Sequence, residues 1–368
     1  MSIKAECIKE KFCLAVSKAE KITGKNMTLP ILSCILIEAK GNNLVLKATN
    51  LDLGIELRIP AKVSQEGVVA VPGAILNGFL TNLSGDNNLV LEEKDGNLHV
   101  NNSSSKTTIK SFPVDDFPTI PKVVDGKIYE LDSQNLVKGL KSVWYSASLS
   151  NIKPELSSVY IHAKDDGLVF VATDSFRLAE KTVKFRKNND FEQILMPFKN
   201  VADLLKIISD EKDNLAITST KNQISFEYKD IYIVSRVIDG TFPDYQQIIA
   251  KKFKTEVIVL KQDLINILKL SNIFSDSFNQ INIKVSPKDK LLEIRSKNAS
   301  VGENVNRLSA TVEGEEIEIN FNHKYIIDCF QSIDSDSVSL SFNGLNKPMV
   351  IRGVSDKSFT YLVMPMNR

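Results

Sequence analysis

Apolar and polar residues alternate with a period of two along three stretches of the chain, and the three stretches can be laid over one another. Residues 31–50 read ILSCILIEAKGNNLVLKATN, residues 156–174 read LSSVYIHAKDDGLVFVATD, and residues 281–298 read INIKVSPKDKLLEIRSKN. Each is an alternating strand, a polar turn (Gly41-Asn42, Asp166-Gly167, Pro287-Lys288-Asp289) and a second strand ending in Asn or Asp. That pattern predicts a β-hairpin. The end points Asn50, Asp174 and Asn298 stand 124 residues apart at each step.

The period then changes. VPGAILNGFLTNL begins at Val71, MPFKNVADLLKII at Met196 and NFNHKYIIDCFQSI at Asn320, spaced by 125 and 124. Apolar residues now recur at helical spacing: Ile75, Leu76, Phe79 and Leu80 in the first, Val201, Leu204 and Leu205 in the second. Pro72 and Pro197 sit at the helix start, where an amide donor has no partner anyway. A further amphipathic helix opens each copy, over residues 7–23, 133–146 and 262–271, with Ser133 as a candidate N-cap before Leu136, Val137 and Leu140. Asp116-Phe117-Pro118 returns 125 residues later as Thr241-Phe242-Pro243-Asp244.

Three tandem copies therefore account for the chain. Domains are expected at 1–122, 123–250 and 251–368, with the Phe-Pro-containing stretches 112–121 and 242–248 as linkers. Each copy reads β-α-β-β-β twice, an α+β fold of antiparallel sheets covered on one face by two helices. Such an array leaves an edge strand exposed at each end. A head-to-tail contact between two chains that closes into a ring removes both.

Charge first argues against nucleic acid, then less so. The 368 residues carry 46 Lys+Arg against 45 Asp+Glu, a net charge of +1, too little to hold a polyanion by bulk charge. The six predicted helices, however, sum to +5, led by residues 3–23 (+2), 133–145 (+2) and 198–208 (+1), and the remainder to −4. The most apolar stretch, 29–39, is far short of the ~20 residues of a membrane span. Cys7, Cys13, Cys34 and Cys329 show no CxxC spacing, which suits buried small hydrophobes in a reducing cytoplasm.

Catalytic chemistry is sparse. His99, His162 and His323 fall one per copy, none at metal-ligand spacing, and no phosphate-loop or nucleophile motif occurs. Asp115-Asp116 and Asp165-Asp166 are the pairs a metal-dependent nuclease would need, but adjacent residues of a strand point to opposite faces, and Asp165-Asp166-Gly167 reads as a turn. A binding protein is expected, with no catalytic residue, metal or cofactor.

Five motifs add a family resemblance that spans the chain in order: TLPIL at 28–32, ATNLDLGIEL at 48–57, ATDSFRLA at 172–179, DGTFPDY at 239–245 and YLVMPM at 361–366. Together they resemble the bacterial DNA polymerase sliding clamp, the beta subunit of polymerase III. The resemblance implies a homodimeric ring of six similar domains around duplex DNA, with helices inside and sheets outside. A clamp-loader ATPase would open it, and the replicative polymerase and other replication and repair proteins would dock through a short hydrophobic peptide motif. It implies DNA-facing lysines at Lys9, Lys138, Lys141, Lys199 and Lys206 on helices and at Lys25 and Lys153 in loops. The partner-peptide pocket would comprise Leu156, Thr173, Ser175, Phe176, Arg177, Leu178, Pro243, Ile248, Pro348, Val363, Met364, Pro365 and Met366. The dimer interface would set Thr107 and Ile109 against Ile273 and Phe274. Two departures from the family pattern fall near the pocket rim: Gln246-Gln247 stands where members often carry a basic residue, and Arg368 follows Asn367 instead of Met366 directly. The other reading of the same repeats is a peptide-binding scaffold that does not encircle DNA.

Overall fold

The computed structural model describes residues 2–24, 28–85, 87–165, 167–185 and 191–366. Lys25, Asp166, Asn367 and Arg368, singled out above, lie outside the described residues.

The first copy contains β1 (Lys4–Ile8), α1 (Lys9–Glu20), β2 (Cys34–Lys40), β3 (Asn43–Thr49), β4 (Leu53–Gln65), β5 (Gly67–Pro72), α2 (Gly73–Asn82), β6 (Asn88–Lys94), β7 (Asn97–Asn101) and β8 (Lys106–Lys110). The second repeats the order with β9 (Lys127–Asp132), α3 (Ser133–Val143), β10 (Ser158–Lys164), β11 (Gly167–Thr173), β12 (Arg177–Lys184), β13 (Ile194–Pro197), α4 (Phe198–Ile208), β14 (Asn214–Ser219), β15 (Gln223–Tyr228) and β16 (Ile231–Arg236). The third has β17 (Thr255–Leu260), α5 (Lys261–Ile273), β18 (Gln280–Ser286), β19 (Leu291–Asn298), β20 (Gly302–Ser309), β21 (Thr311–Gly314), β22 (Ile317–Asn322), α6 (His323–Asp328), β23 (Ser337–Phe342), β24 (Met349–Gly353) and β25 (Phe359–Val363). The two halves of a copy exchange their first strands. β1 pairs with β6 while β5 pairs with β2, and β9–β14, β13–β10, β17–β23 and β22–β18 repeat the exchange.

The chain forms two compact units, Met1–Gln134 with Lys199–Val237, and Asn135–Phe198 with Ile238–Arg368. In the first, sheet order runs β8-β7-β6-β1-β4-β16-β15-β14-β9, with β3, β2 and β5 branching from β4. β4 pairs with β3 as far as Pro60 and with β1 from Ala61 onward. Pro60, which has no amide hydrogen to donate, thus stands where the strand changes partner. The second unit holds the sheets β13-β10-β11-β12-β25-β24-β23-β17-β21 and β20-β19-β18-β22. The second copy's strands are thereby shared between the units: β16 joins β4, and β12 joins β25.

Helices pack largely by the faces their spacing predicts, except that Ile75 of α2 is 60% exposed and Phe79 half-buried, because the buried stripe of that helix runs through Leu76 and Leu80. Phe12, Val16 and Ala19 of α1, Leu76 and Leu80 of α2, Leu140 and Val143 of α3, and Val201, Leu204 and Ile208 of α4 are buried. Ser133 is not an N-cap: it is the first residue of α3, and its Oγ donates to the Glu211 carbonyl at 2.8 Å. The six α-helices among the described residues again carry five net positive charges, two on α3 and one each on α1, α4 and α5. Gly139 lets α3 approach the sheet, since a Cβ there would meet the Phe170 ring at 2.3 Å. Gly139→Ala should therefore destabilise the chain by about 1–3 kcal/mol through overpacking. A denaturation midpoint equal to that of the parent would contradict this packing.

All four cysteines are free. Burial pushes the Cys7 thiol up to about 12. Among the described residues no three His, Cys, Asp or Glu side chains gather as a metal site. Among the described residues no helix is long and apolar enough to cross a membrane.

Candidate functional site

The residues that the resemblance implies for a partner pocket all belong to the second unit, around a turn that the sequence dictates. β11 ends in Thr173 and β12 begins at Arg177. Thr173 Oγ1 donates to the Arg177 carbonyl (2.7 Å) and accepts from the Ser175 amide (3.1 Å), and Asp174 Oδ1 accepts from the amides of Phe176 and Arg177 (2.9 Å each). Short polar side chains that bond their own backbone in this way stabilise tight turns. Ser175 takes φ 77°, and Phe176 is thrown outward, 61% exposed.

β25 then runs alongside. Val363 pairs with Arg177 on one side and Met349 on the other, and the Met364 amide donates to the Phe176 carbonyl at 2.8 Å. Met366 donates its amide to the Asn320 carbonyl at 2.8 Å. Met364 is left exposed, Pro365 and Met366 half-buried. Beneath them Leu178, Val350 and Leu362 join a buried cluster with Phe242 and Tyr245 of the linker. Phe242 stacks on Tyr160 with ring centroids 4.8 Å apart, and Tyr245 bonds His162 Nε2 through its hydroxyl at 3.2 Å. The linker is thus fastened, and it presents Pro243 and Ile248 at the surface. Pro348 is half-buried at the entry to β24; Leu156, Thr173 and Val363 are buried.

Arg177 faces inward. Its Nε donates to Asp174 Oδ2 (3.0 Å), Nη1 to Asp328 Oδ2 (2.6 Å) and Nη2 to the Tyr145 carbonyl (2.7 Å). Its guanidinium lies 4.7 Å from the Tyr325 ring centroid, and that ring is stacked with Phe176 at 6.5 Å. Burial works against the charge, but the neighbouring Tyr361, Asp174 and Asp328 outweigh it and raise the Arg177 pKa. Tyr145, Tyr325 and Asp328 are not among the residues that the sequence points to. Asp174 does carry a signal, as the Asn-or-Asp end of each repeated hairpin.

The lysines divide by environment. Lys141, Lys153 and Lys199 are exposed and form no ion pair among the described residues. Lys138 pairs with Asp334 at 2.8 Å, an attraction that holds the Asp334 carboxyl below its usual range, and Lys206 pairs with Asp203 at 2.7 Å. Surface pairs of this kind contribute only about 0–1 kcal/mol, so a phosphate can displace them. Lys9 is half-buried and donates to the Leu83 carbonyl at 2.6 Å. Lys11 on α1 and Lys269 on α5 are exposed helix lysines that the sequence reading passed over.

Each unit also ends in an open strand edge. Among the described residues β8 pairs only with β7, and β20 only with β19. On β8, Thr107 is half-buried and Ile109 buried; beside β20, Ile273 is 61% exposed and Phe274 half-buried.

A chain of three repeated domains, with β8 and β20 as open strand edges among the described residues and with Phe176 exposed where its carbonyl meets the Met364 amide, matches one class of known proteins. Residues 3–121, 130–244 and 246–367 match, in order, the N-terminal, central and C-terminal domains of the DNA polymerase III beta subunit. The beta sliding clamp of Synechococcus elongatus is 27% identical over 373 residues, covering 99% of each chain. The solved beta subunit of Thermotoga maritima is 25% identical and superposes over all of both chains with a TM-score of 0.94. A Pseudomonas aeruginosa sliding clamp solved bound to griselimycin is 21% identical over all of both chains, with a TM-score of 0.93, and shares the fold. The chain belongs to the DNA polymerase III beta-subunit family.

Proposed function

We propose that two of these chains close head to tail into a ring that encircles duplex DNA and tethers the replicative polymerase and other replication and repair proteins to it. The observation that carries this reading is the repeated strand junction. Within the chain, Gly54 of β4 stands opposite Val234 of β16, and Leu178 of β12 opposite Leu362 of β25. These are the same register one copy on. Carried one step further, it sets Glu303 of β20 opposite Thr108 of β8 in a second chain, so that Ile109 falls opposite Gly302 and Thr107 opposite Asn304.

The side chains support that pairing. A Cβ at Gly302 would lie 3.9 Å from the Phe274 ring, so Phe274 stands beside the position that would face the strand segment of the buried Ile109. Lys106 and Lys110 would flank Glu303 on the opposite face, joining unlike charges. Directly opposed residues in antiparallel strands have Cα atoms ~4.5–5.5 Å apart, within the reach of a disulfide. The mass in solution should be about 82 kDa, twice the 41.0 kDa of one chain. Mild oxidation of a Thr107→Cys/Asn304→Cys protein should lock that dimer covalently, while Thr108→Cys/Asn304→Cys, slipped by one residue, should not. A 41.0 kDa species throughout, or equal cross-linking of both pairs, would contradict the ring.

The remaining roles follow from the same reading. Exposed lysines meet phosphates without reading bases, which suits sliding. The domains 1–122, 123–250 and 251–368 each supply two helices to the DNA side. A clamp-loader ATPase opens the ring, partner proteins insert a short hydrophobic motif at Phe176, Met364 and Met366, and griselimycin occupies the same slot. The protein works in the cytoplasm as a tether and not as an enzyme.

A further inference from the structure

The turn frame of the pocket occurs twice in the chain, and the comparison isolates what is special about one of them. In the first unit Thr49 Oγ1 donates to the Leu53 carbonyl (3.0 Å) and accepts from the Leu51 amide (3.0 Å). Asn50 Oδ1 accepts from the Leu53 amide (2.8 Å), and the Arg236 amide donates to the Asp52 carbonyl (2.9 Å). Leu51 has φ 78°, against 77° for Ser175. Every backbone feature of the turn at Thr173–Arg177 and its contact with Met364 has its counterpart.

The side chains differ. Leu53 replaces Arg177, Arg236 replaces Met364, and Asn200 stands where the second unit has Tyr325. Asn200 Nδ2 donates to the Asp52 carbonyl (3.2 Å) and to Ser235 Oγ (2.9 Å), filling the space beside the turn. Asp203, the counterpart of Asp328, pairs with Lys206. The frame is therefore not sufficient for a pocket. What distinguishes the second unit is the chain of contacts from Asp328 to Arg177, from Arg177 to the face of Tyr325, and from Tyr325 to the exposed ring of Phe176.

We infer that Asp328 is a positioning residue of the partner pocket, acting through Arg177. This rests on the pocket reading given above. Asp328 sits on α6, 41% exposed in its side chain, and holds Nη1 while Asp174 holds Nε and the Tyr145 carbonyl holds Nη2. Three anchors from three elements fix the guanidinium plane, and the plane fixes Tyr325 behind Phe176. Loss of the Asp328 anchor frees Arg177 to swing and leaves the aromatic wall unsupported.

The test is a titration with griselimycin, read by calorimetry, on the full-length dimer. Loss of one charge-assisted hydrogen bond predicts roughly tenfold weaker binding for Asp328→Ala and about threefold for Asp328→Asn, with Asp328→Glu restoring most of it. The melting temperature and dimer mass stay at the parent values. In an Arg177→Ala background, Asp328→Ala has no further effect. Parent-like affinity of Asp328→Ala, alongside lost binding in Met364→Ala/Met366→Ala, would overturn the positioning role and leave the pocket standing. So would an undiminished loss in the Arg177→Ala background. Parent-like affinity in both the Asp328 and the methionine variants would overturn the pocket reading as well.

Discussion

Met364→Ala/Met366→Ala abolishes partner binding while the dimer remains whole. The expected loss is at least ~100-fold in Kd, since two adjacent apolar anchors at the centre of a small interface each contribute about 2 kcal/mol or more. The substitution is a clean probe because both residues are held by their backbone. The Met364 amide bonds to Phe176 and the Met366 amide to Asn320, contacts that alanine keeps. Only the flexible thioether chains, which let one slot accept several motifs, are removed. Neither residue lies on β8 or β20, so the mass should stay near 82 kDa, twice 41.0. Griselimycin and any hydrophobic partner peptide should lose affinity together. Affinity retained within threefold would place the partner site elsewhere.

The repeat was readable because strand alternation, helix periodicity and the Phe-Pro linkers each recur at nearly one spacing. Helix faces followed too: Leu136, Leu140, Val201 and Leu204 are buried where their spacing puts them. Three features were not readable. The exchange of first strands between half-copies leaves no mark on the alternation, because β1 has the same polarity pattern whichever hairpin accepts it. Ser133 has the composition of an N-cap, but a tertiary bond to the Glu211 carbonyl takes its hydroxyl. The Asp328–Arg177–Tyr325 assembly joins residues about 150 positions apart, and a carboxylate at a helix end has many ordinary explanations. Within the pocket motif, ATDSFRLA and YLVMPM identified the strands, but nothing in the pattern shows that the Arg177 guanidinium is held by Asp174, Asp328 and the Tyr145 carbonyl of its own chain.

Complete loss of DNA retention on cutting a circle is the second large effect, and it separates topology from charge. With a net charge of +1 and lysines scattered on helices, contact with phosphate is weak. Non-specific binding of this kind has Kd values of roughly 10⁻⁴–10⁻⁶ M at physiological salt and weakens steeply as salt rises. A closed ring around DNA does not depend on that attraction: salt can remove every lysine contact and the DNA still cannot leave. The helix lysines then need only lubricate, keeping the duplex centred without stopping it. A scaffold that binds peptides beside DNA has no such protection, and high salt would strip it from circles and linear molecules alike.

The most direct measurement loads the dimer onto nicked circular DNA with its loader ATPase, washes in high salt, and counts the protein retained before and after a single cut. The ring predicts that it stays on the intact circle and is lost through the ends once the DNA is linear. Equal loss before and after cutting would contradict it.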